Sequence, residues 1–211
     1  MDIPFLHVTL PELIQMVGYV GVFVIVFIES GVPIGIVLPL PGDTLLFSAG
    51  ILAATQAFEL VPLIATIVVA AILGDSAGYW FGSHYGPKLF TKDNALILNK
   101  RYLEKTEKFY QKYGRMALIV ARFLPVFRTL VPIMAGMGSM KYRTFLAFNI
   151  AGALIWGISL TMLGYFLGNM IPNIDTYVLP VLILVIIITT FSGFREVWKA
   201  RKEMQNEKTA P

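Results

Sequence analysis

Two arginines, Arg122 and Arg128, stand six residues apart in the otherwise apolar stretch Ala121–Met140, ARFLPVFRTLVPIMAGMGSM. An arginine presents a rigid, permanently charged fork of donors that suits phosphate and carboxylate. At bilayer depth such a charge costs about 2.5–3.5 kcal/mol on insertion scales, so it persists only where it is paired or lines a wet cavity. Three acids, Glu29, Asp43 and Asp75, sit in comparably apolar surroundings. Arg122 and Arg128 are therefore the candidate phosphate ligands, converging on one anionic headgroup across a turn that Pro125 breaks. Glu29 and Asp43 are the candidate proton or counter-charge carriers, because a buried carboxylate can take up a proton as the arginines bind or release an anion. Asp75 is third in line for the same role, with a polar contact to a neighbouring helix as the alternative. The bland alternative for the whole set is a group of salt bridges that only holds segments together.

Other chemistry is poorly supplied. The chain has no HExxH, GxSxG or P-loop motif, and no pair of histidines at ligand spacing. His7 and His84 fall near predicted surfaces and are expected to be incidental. Cysteine is absent, which excludes disulfides, a thiol nucleophile and thiolate metal sites. No enzyme activity, bound metal or cofactor is expected.

The elements that must position these residues are membrane helices. The 211 residues are 56% hydrophobic and 14% charged, with mean hydropathy +0.71; a soluble domain is about 45–50% apolar and about 25% charged. The expected fold is an all-α integral membrane protein forming one membrane domain, 1–211. The N-terminus has no basic region ahead of its first apolar run, so no cleaved signal peptide is expected. Leu10 to Glu29 is long enough to span. Pro33, Pro39, Pro41 and Gly42 then forbid one continuous helix, and Asp43 can cap the next start. This predicts a re-entrant hairpin over 33–53, turning near Pro41. A span follows from about Val61 to Phe81, with Gly74, Gly78 and Gly82 forming a small-residue stripe that permits close helix approach and a homodimer. Residues 83–114 form a polar linker whose 96–113 part predicts a basic amphipathic helix on a membrane face. The arginine segment, 121–140, predicts a second hairpin shaped by Pro125, Pro132 and Gly136, as Pro39, Pro41 and Gly42 shape the first. Thr144 to about Leu167 is a span, Pro172–Asp175 a turn, and Tyr177–Phe191 the last span. The total is about four spanning helices and two hairpins.

Charge gives the topology. All 17 Lys and Arg residues lie at or after Lys88, whereas residues 1–87 hold six acids and no base. Lys88–Arg115 holds eight bases, Lys141 and Arg143 form a pair, and the tail 195–211 holds five. Short cytoplasmic loops collect Lys and Arg, so the linker, the 141–143 turn and the tail are placed in the cytoplasm. Both termini are then cytoplasmic, and the two hairpins enter from opposite faces. Nucleic-acid binding is the rejected reading of the same basic residues.

The halves also repeat. Leu38-Pro39 with Ala49-Gly50, and Gly78-Tyr79 with Gly82, recur 86 residues later as Leu124-Pro125 with Ala135-Gly136, and Gly164-Tyr165 with Gly168. Upstream the offset is 93, which aligns Glu29 with Arg122. With the charge-based topology, this predicts an inverted repeat of hairpin plus spanning helix, 10–82 and 115–194. Transporters of that architecture place their site near the midplane, where broken segments meet.

Four motifs, FIE at 27–29, LPLPGD at 38–43, GDSAGYWFG at 74–82 and RFLPVFRTLVPIMAG at 122–136, resemble the DedA family of bacterial membrane proteins, which carry a VTT (SNARE-associated) domain. The resemblance covers about residues 10 to 190. It implies two opposed re-entrant hairpins and lipid translocation in the bacterial plasma membrane. The leading expectation is a flippase returning undecaprenyl phosphate for carrier-lipid recycling, with H+ or Na+ as coupling ion. The alternatives are a general phospholipid (phosphatidylethanolamine) flippase or scramblase and a proton-coupled small-cation exporter. The family's essential acids and arginines match Glu29, Asp43, Arg122 and Arg128.

Overall fold

The computed structural model describes residues 10–31, 42–86, 100–138 and 140–170. Among these residues every regular element is helical: α1 (Leu10–Gly31), α2 (Gly42–Ala54), α3 (Leu60–Tyr85), α4 (Lys100–Tyr113), α5 (Ala117–Val120), α6 (Pro125–Met137) and α7 (Tyr142–Met170). Single 3-10 turns, Gly114–Met116 and Ala121–Phe123, flank α5. The expected descending limb of the first hairpin, with Pro33, Pro39 and Pro41, lies outside the described residues. So do linker residues 87–99, His7, the Pro172–Asp175 turn, the Tyr177–Phe191 span and the tail.

The long helices begin and end where their sequences allow. The 26-residue α3 and the 29-residue α7 extend about 39 and 43 Å at 1.5 Å per residue, enough to cross a bilayer. Both are apolar enough, as well as long enough, for a membrane crossing. Pro62 is harmless in α3 because a first-turn N–H has no helical partner. Val61, Leu163, Phe166 and Met170 face outward although apolar. Glycine and small polar residues face inward instead: Gly74, Gly78 and Gly82 on α3, and Gly152, Gly157, Thr161, Gly164 and Gly168 on α7 are all buried.

The middle of the chain is broken into short pieces. Gly114, at φ +55, turns α4 into the α5 limb in a left-handed conformation that glycine adopts without strain. The limb ends at Leu124, whose backbone is extended (φ −122, ψ 107). A residue before proline is pushed out of the helical region, and Pro125 then starts α6 with its φ already helical. The break therefore falls at Leu124–Pro125, and the limb feeding it begins ahead of residue 121. Pro132 lies inside α6.

The two halves exchange packing partners. α2 packs chiefly on α7, and α6 on α3, while α1 lies along α3. The closest approaches involve glycines. A Cβ on Gly50 would strike the Thr161 carbonyl and the Tyr165 N–H, and one on Gly136 would strike the Tyr79 carbonyl and the Ser83 N–H. Gly164 lies against the Phe47 carbonyl as Gly82 lies against that of Ile133. On α2 and α6 the matching residues, Gly50 and Gly136, and Phe47 and Ile133, are separated by 86; their partners on α7 and α3, Thr161 and Tyr79, Tyr165 and Ser83, and Gly164 and Gly82, are separated by 82, about one helical turn less. One core joins α1, α2, α3 and α7 around Leu46, Leu63, Ile67 and Trp156. A second, around Leu118, Val131 and Phe145, joins the α5 limb, α6 and the start of α7. α4 rests on the second core: Phe109 stacks on Phe127 with ring centroids 4.6 Å apart.

Candidate functional site

The charged residues singled out by the sequence meet between α1, α2, α3, the α5 limb, α6 and α7. Glu29 reaches the interior because α1 crosses α3 at Gly31 and Gly74, where a Cβ on either would meet the other's backbone. Gly42 starts α2 and donates its backbone N–H to Glu29 Oε1 at 3.2 Å. The carboxylate thus satisfies one of the open donors at a helix N-terminus, where an anion is favoured. A Cβ at Gly42 would overlap the Glu29 carboxylate, so any other residue there requires that side chain to move away.

Arg128, one turn past the break, ties the first half to the second. Its Nη2 contacts Glu29 Oε1 and its Nη1 donates to Asp43 Oδ1 at 3.0 Å. Arg122, in the 3-10 turn before the break, contacts Asp75 Oδ2 and donates to Asn149 Oδ1. Asn149 in turn donates Nδ2–H to the Ile72 carbonyl at 3.1 Å. Gly152 leaves the space through which the Arg122 side chain passes. The centre therefore consists of two linked ion-pair sets, Arg128 with Glu29 and Asp43, and Arg122 with Asp75 and Asn149.

Burial separates these sets. The Arg122 and Asp75 side chains are each 5% exposed, and Glu29 is 2% exposed. Arg128 is 12% and Asp43 45% exposed, so the centre opens at Asp43. Pairing in a dry site offsets the desolvation of each charge only when further hydrogen bonds complete it. Glu29 Oε2 and Arg122 Nε have no partner among the described residues.

All five predicted charged residues come together, with Gly42 touching Glu29 directly. Pro125 sits at the break, Gly136 on the Tyr79 carbonyl, and Pro132 beside Gly78. Pro39 and Pro41 lie outside the described residues. The arginines do not share one acceptor, because Arg122 is closed off by Asp75 and Asn149. His84 is exposed at the end of α3, 3.0 Å from the carbonyl of Trp80 on its own helix and apart from the centre. No three His, Cys, Asp or Glu side chains among the described residues form a metal site.

Sequence reasoning missed Asn149 and Trp156, which sit seven residues apart on one face of α7. Trp156 donates Nε1–H to Asp43 Oδ1 at 2.9 Å. Its ring centroid is 5.9 Å from the guanidinium carbon of both Arg122 and Arg128. The available signal was Asn149 itself, an amide inside an apolar span, which demands a buried partner.

A family model described as VTT domain matches residues 40–166. The chain is 38% identical over 203 residues to Protein DedA of Escherichia coli (strain K12), covering 93% of this chain and 91% of that protein. It is 37% identical over 187 residues to Uncharacterized membrane protein ML0287 of Mycobacterium leprae, covering 85% and 82%. Inner membrane protein YqjA of Escherichia coli (strain K12) is 35% identical over 162 residues, covering 75% and 71%. No solved structure matches the chain. With a VTT domain match that covers the arginine segment and every member of the two ion-pair sets except Glu29, the chain belongs to the DedA family of bacterial membrane proteins.

Proposed function

We propose that this protein moves a lipid phosphate between membrane leaflets, with undecaprenyl phosphate as the cargo in carrier-lipid recycling. The carrying observation is Arg128, a buried guanidinium shared by two carboxylates, one of which, Asp43, is open to the surroundings. A phosphate reaching the centre displaces Asp43 and takes its place on Arg128. Arg122, already engaged by Asp75 and Asn149, holds the broken segment in position. The centre carries three acids and two arginines, so an entering phosphate adds negative charge to a site already short of positive charge. Uptake of H+ or Na+ by the displaced Asp43, or by Glu29, balances that addition.

In this reading the broken segments are re-entrant hairpins entering from opposite faces, and the halves 10–82 and 115–194 are an inverted repeat with both termini cytoplasmic. The exchanged packing of α2 on α7 and α6 on α3 supports it, with matching contacts 86 residues apart on α2 and α6 and 82 apart on α7 and α3. Such repeats alternate access by moving against each other around a fixed midplane site.

The test is leaflet exchange in sealed proteoliposomes containing undecaprenyl phosphate or, separately, labelled phosphatidylethanolamine, with wild type beside Arg128→Ala. Movement of the lipid phosphate alone, lost in the variant, is the expected result. Equal movement of both lipids would replace the reading with a general scramblase. No lipid movement, with pH-driven efflux of a small cation, would replace it with an exporter.

A further inference from the structure

We propose that Trp156 is a direct phosphate ligand, its indole N–H and Arg128 Nη1 together marking the position of one oxyanion. This rests on the lipid-phosphate reading and assigns the specificity of that same site. Two donors from different helices converge on a single atom: Arg128 Nη1 lies 3.0 Å and Trp156 Nε1 2.9 Å from Asp43 Oδ1. One donor is cationic and one neutral, and both are fixed. α7, which carries Trp156, is docked on α2 through backbone contacts at Gly50 and Gly164. Trp156 is 2% exposed, and its ring lies against both guanidinium groups.

A buried indole N–H needs an acceptor. When Asp43 leaves Arg128 it leaves Trp156 at the same moment, because the shared acceptor is one atom. An anion that satisfied Arg128 alone would strand the indole donor. A phosphate oxygen placed where Asp43 Oδ1 now lies satisfies both. Asp43 is thereby an internal mimic of the headgroup, occupying the oxyanion position until cargo arrives. Any phosphomonoester offers that oxygen, whether on a lipid or free. Phosphatidylcholine also has a non-bridging oxygen, but its diester carries a single charge beside its own quaternary ammonium, which makes it the weaker partner for Arg128.

The chain has three tryptophans, so Trp80→Phe with Trp198→Phe leaves Trp156 as the sole tryptophan in the 211-residue chain, excited apart from the tyrosines at long wavelength. In phosphatidylcholine nanodiscs, polyprenyl monophosphate is expected to change its emission saturably, and Arg128→Ala to abolish the change. A response to inorganic phosphate at higher concentration supports the same donor pair, with the headgroup sufficient. Binding of radiolabelled polyprenyl phosphate to Trp156→Phe in the otherwise native chain is expected to weaken about tenfold or more, as for loss of a hydrogen bond to a charged group. That variant keeps a ring against the arginines, and its melting temperature reports the fold independently. Unchanged affinity in Trp156→Phe, with binding still lost in Arg128→Ala, overturns the inference and leaves the lipid-phosphate reading standing. An emission change of equal size with added phosphatidylglycerol, a singly charged diester without an ammonium, overturns it also. No binding of the monophosphate to wild type overturns both.

Discussion

Replacing Asp75 and Arg122 together should cost far less than replacing either alone. Both side chains are 5% exposed, so solvent screens their attraction little. Asp75→Leu leaves the Arg122 guanidinium buried with Asn149 as its one remaining acceptor among the described residues. Arg122→Met leaves the buried Asp75 carboxylate with no basic partner among the described residues. Breaking a buried pair from one side costs about 3–5 kcal/mol. For a chain of this size, where 1 kcal/mol moves the midpoint by about 2–4 °C, each single variant should melt roughly 6–20 °C below wild type. The double variant restores an apolar match and orphans only Asn149 Oδ1, a penalty of about 1–3 kcal/mol. The coupling energy is then at least about 3 kcal/mol. Thermal unfolding of detergent-solubilised protein, followed by loss of the monodisperse chromatographic peak, measures all four corners of the cycle. Penalties that add within about 0.5 kcal/mol, as for independent sites, would refute the view that Arg122 and Asp75 act as one buried unit.

Three further outcomes are expected. Gly42→Ala forces the Glu29 carboxylate off Arg128 and off the start of α2, so its lipid-phosphate transport should fall to within about twofold of Glu29→Gln; wild-type transport would contradict the packing. Gly50→Val and Gly136→Val each drive a side chain into the opposing carbonyl, and each should lose about 1–3 kcal/mol, with a large loss in only one of them breaking the equivalence of the halves. Because the native chain has no cysteine, single cysteines can report sidedness in intact cells: one at Gln56 should react with a membrane-impermeant maleimide, and ones at Lys108 and Lys141 should not. Labelling at Lys108 from outside would reverse the proposed orientation.

Much of the fold was legible because membrane helices obey crude rules. The helices expected at 61–81 and 144–167 are observed as Leu60–Tyr85 and Tyr142–Met170, since length and apolarity decide them. Their extra turns carry Ser83, His84 and Asn169, polar residues that a hydropathy reading trims. The break at Leu124 was legible from Pro125, whereas Pro132 was read as a hairpin-shaping residue and sits within α6. Proline signals a lost hydrogen bond, and whether the helix stops there depends on neighbours absent from a local reading. The charged residues were legible as a set because each is costly alone at depth. Which arginine meets which acid was not legible. That depends on the crossing of α1 and α3 at Gly31 and Gly74, and on the path of Arg122 over Gly152. Trp156 was hidden among fifteen Phe, nine Tyr and three Trp, where an aromatic residue is ordinarily packing.

The exchange of partners between halves has a consequence for biogenesis. α2 docks on α7, a helix that leaves the ribosome about a hundred residues later. Asp43 finds its arginine 85 positions downstream, and no lysine or arginine at all precedes Lys88. At about 5–20 residues per second, elongation takes roughly 4–17 s to supply that partner. Throughout that interval the nascent first half holds Glu29, Asp43 and Asp75 with no cationic side chain of its own. The membrane-insertion machinery must shelter three acids and a glycine-faced helix until Arg122 and Arg128 arrive, and the α2 contacts with Thr161 and Gly164 on α7 can close only after that.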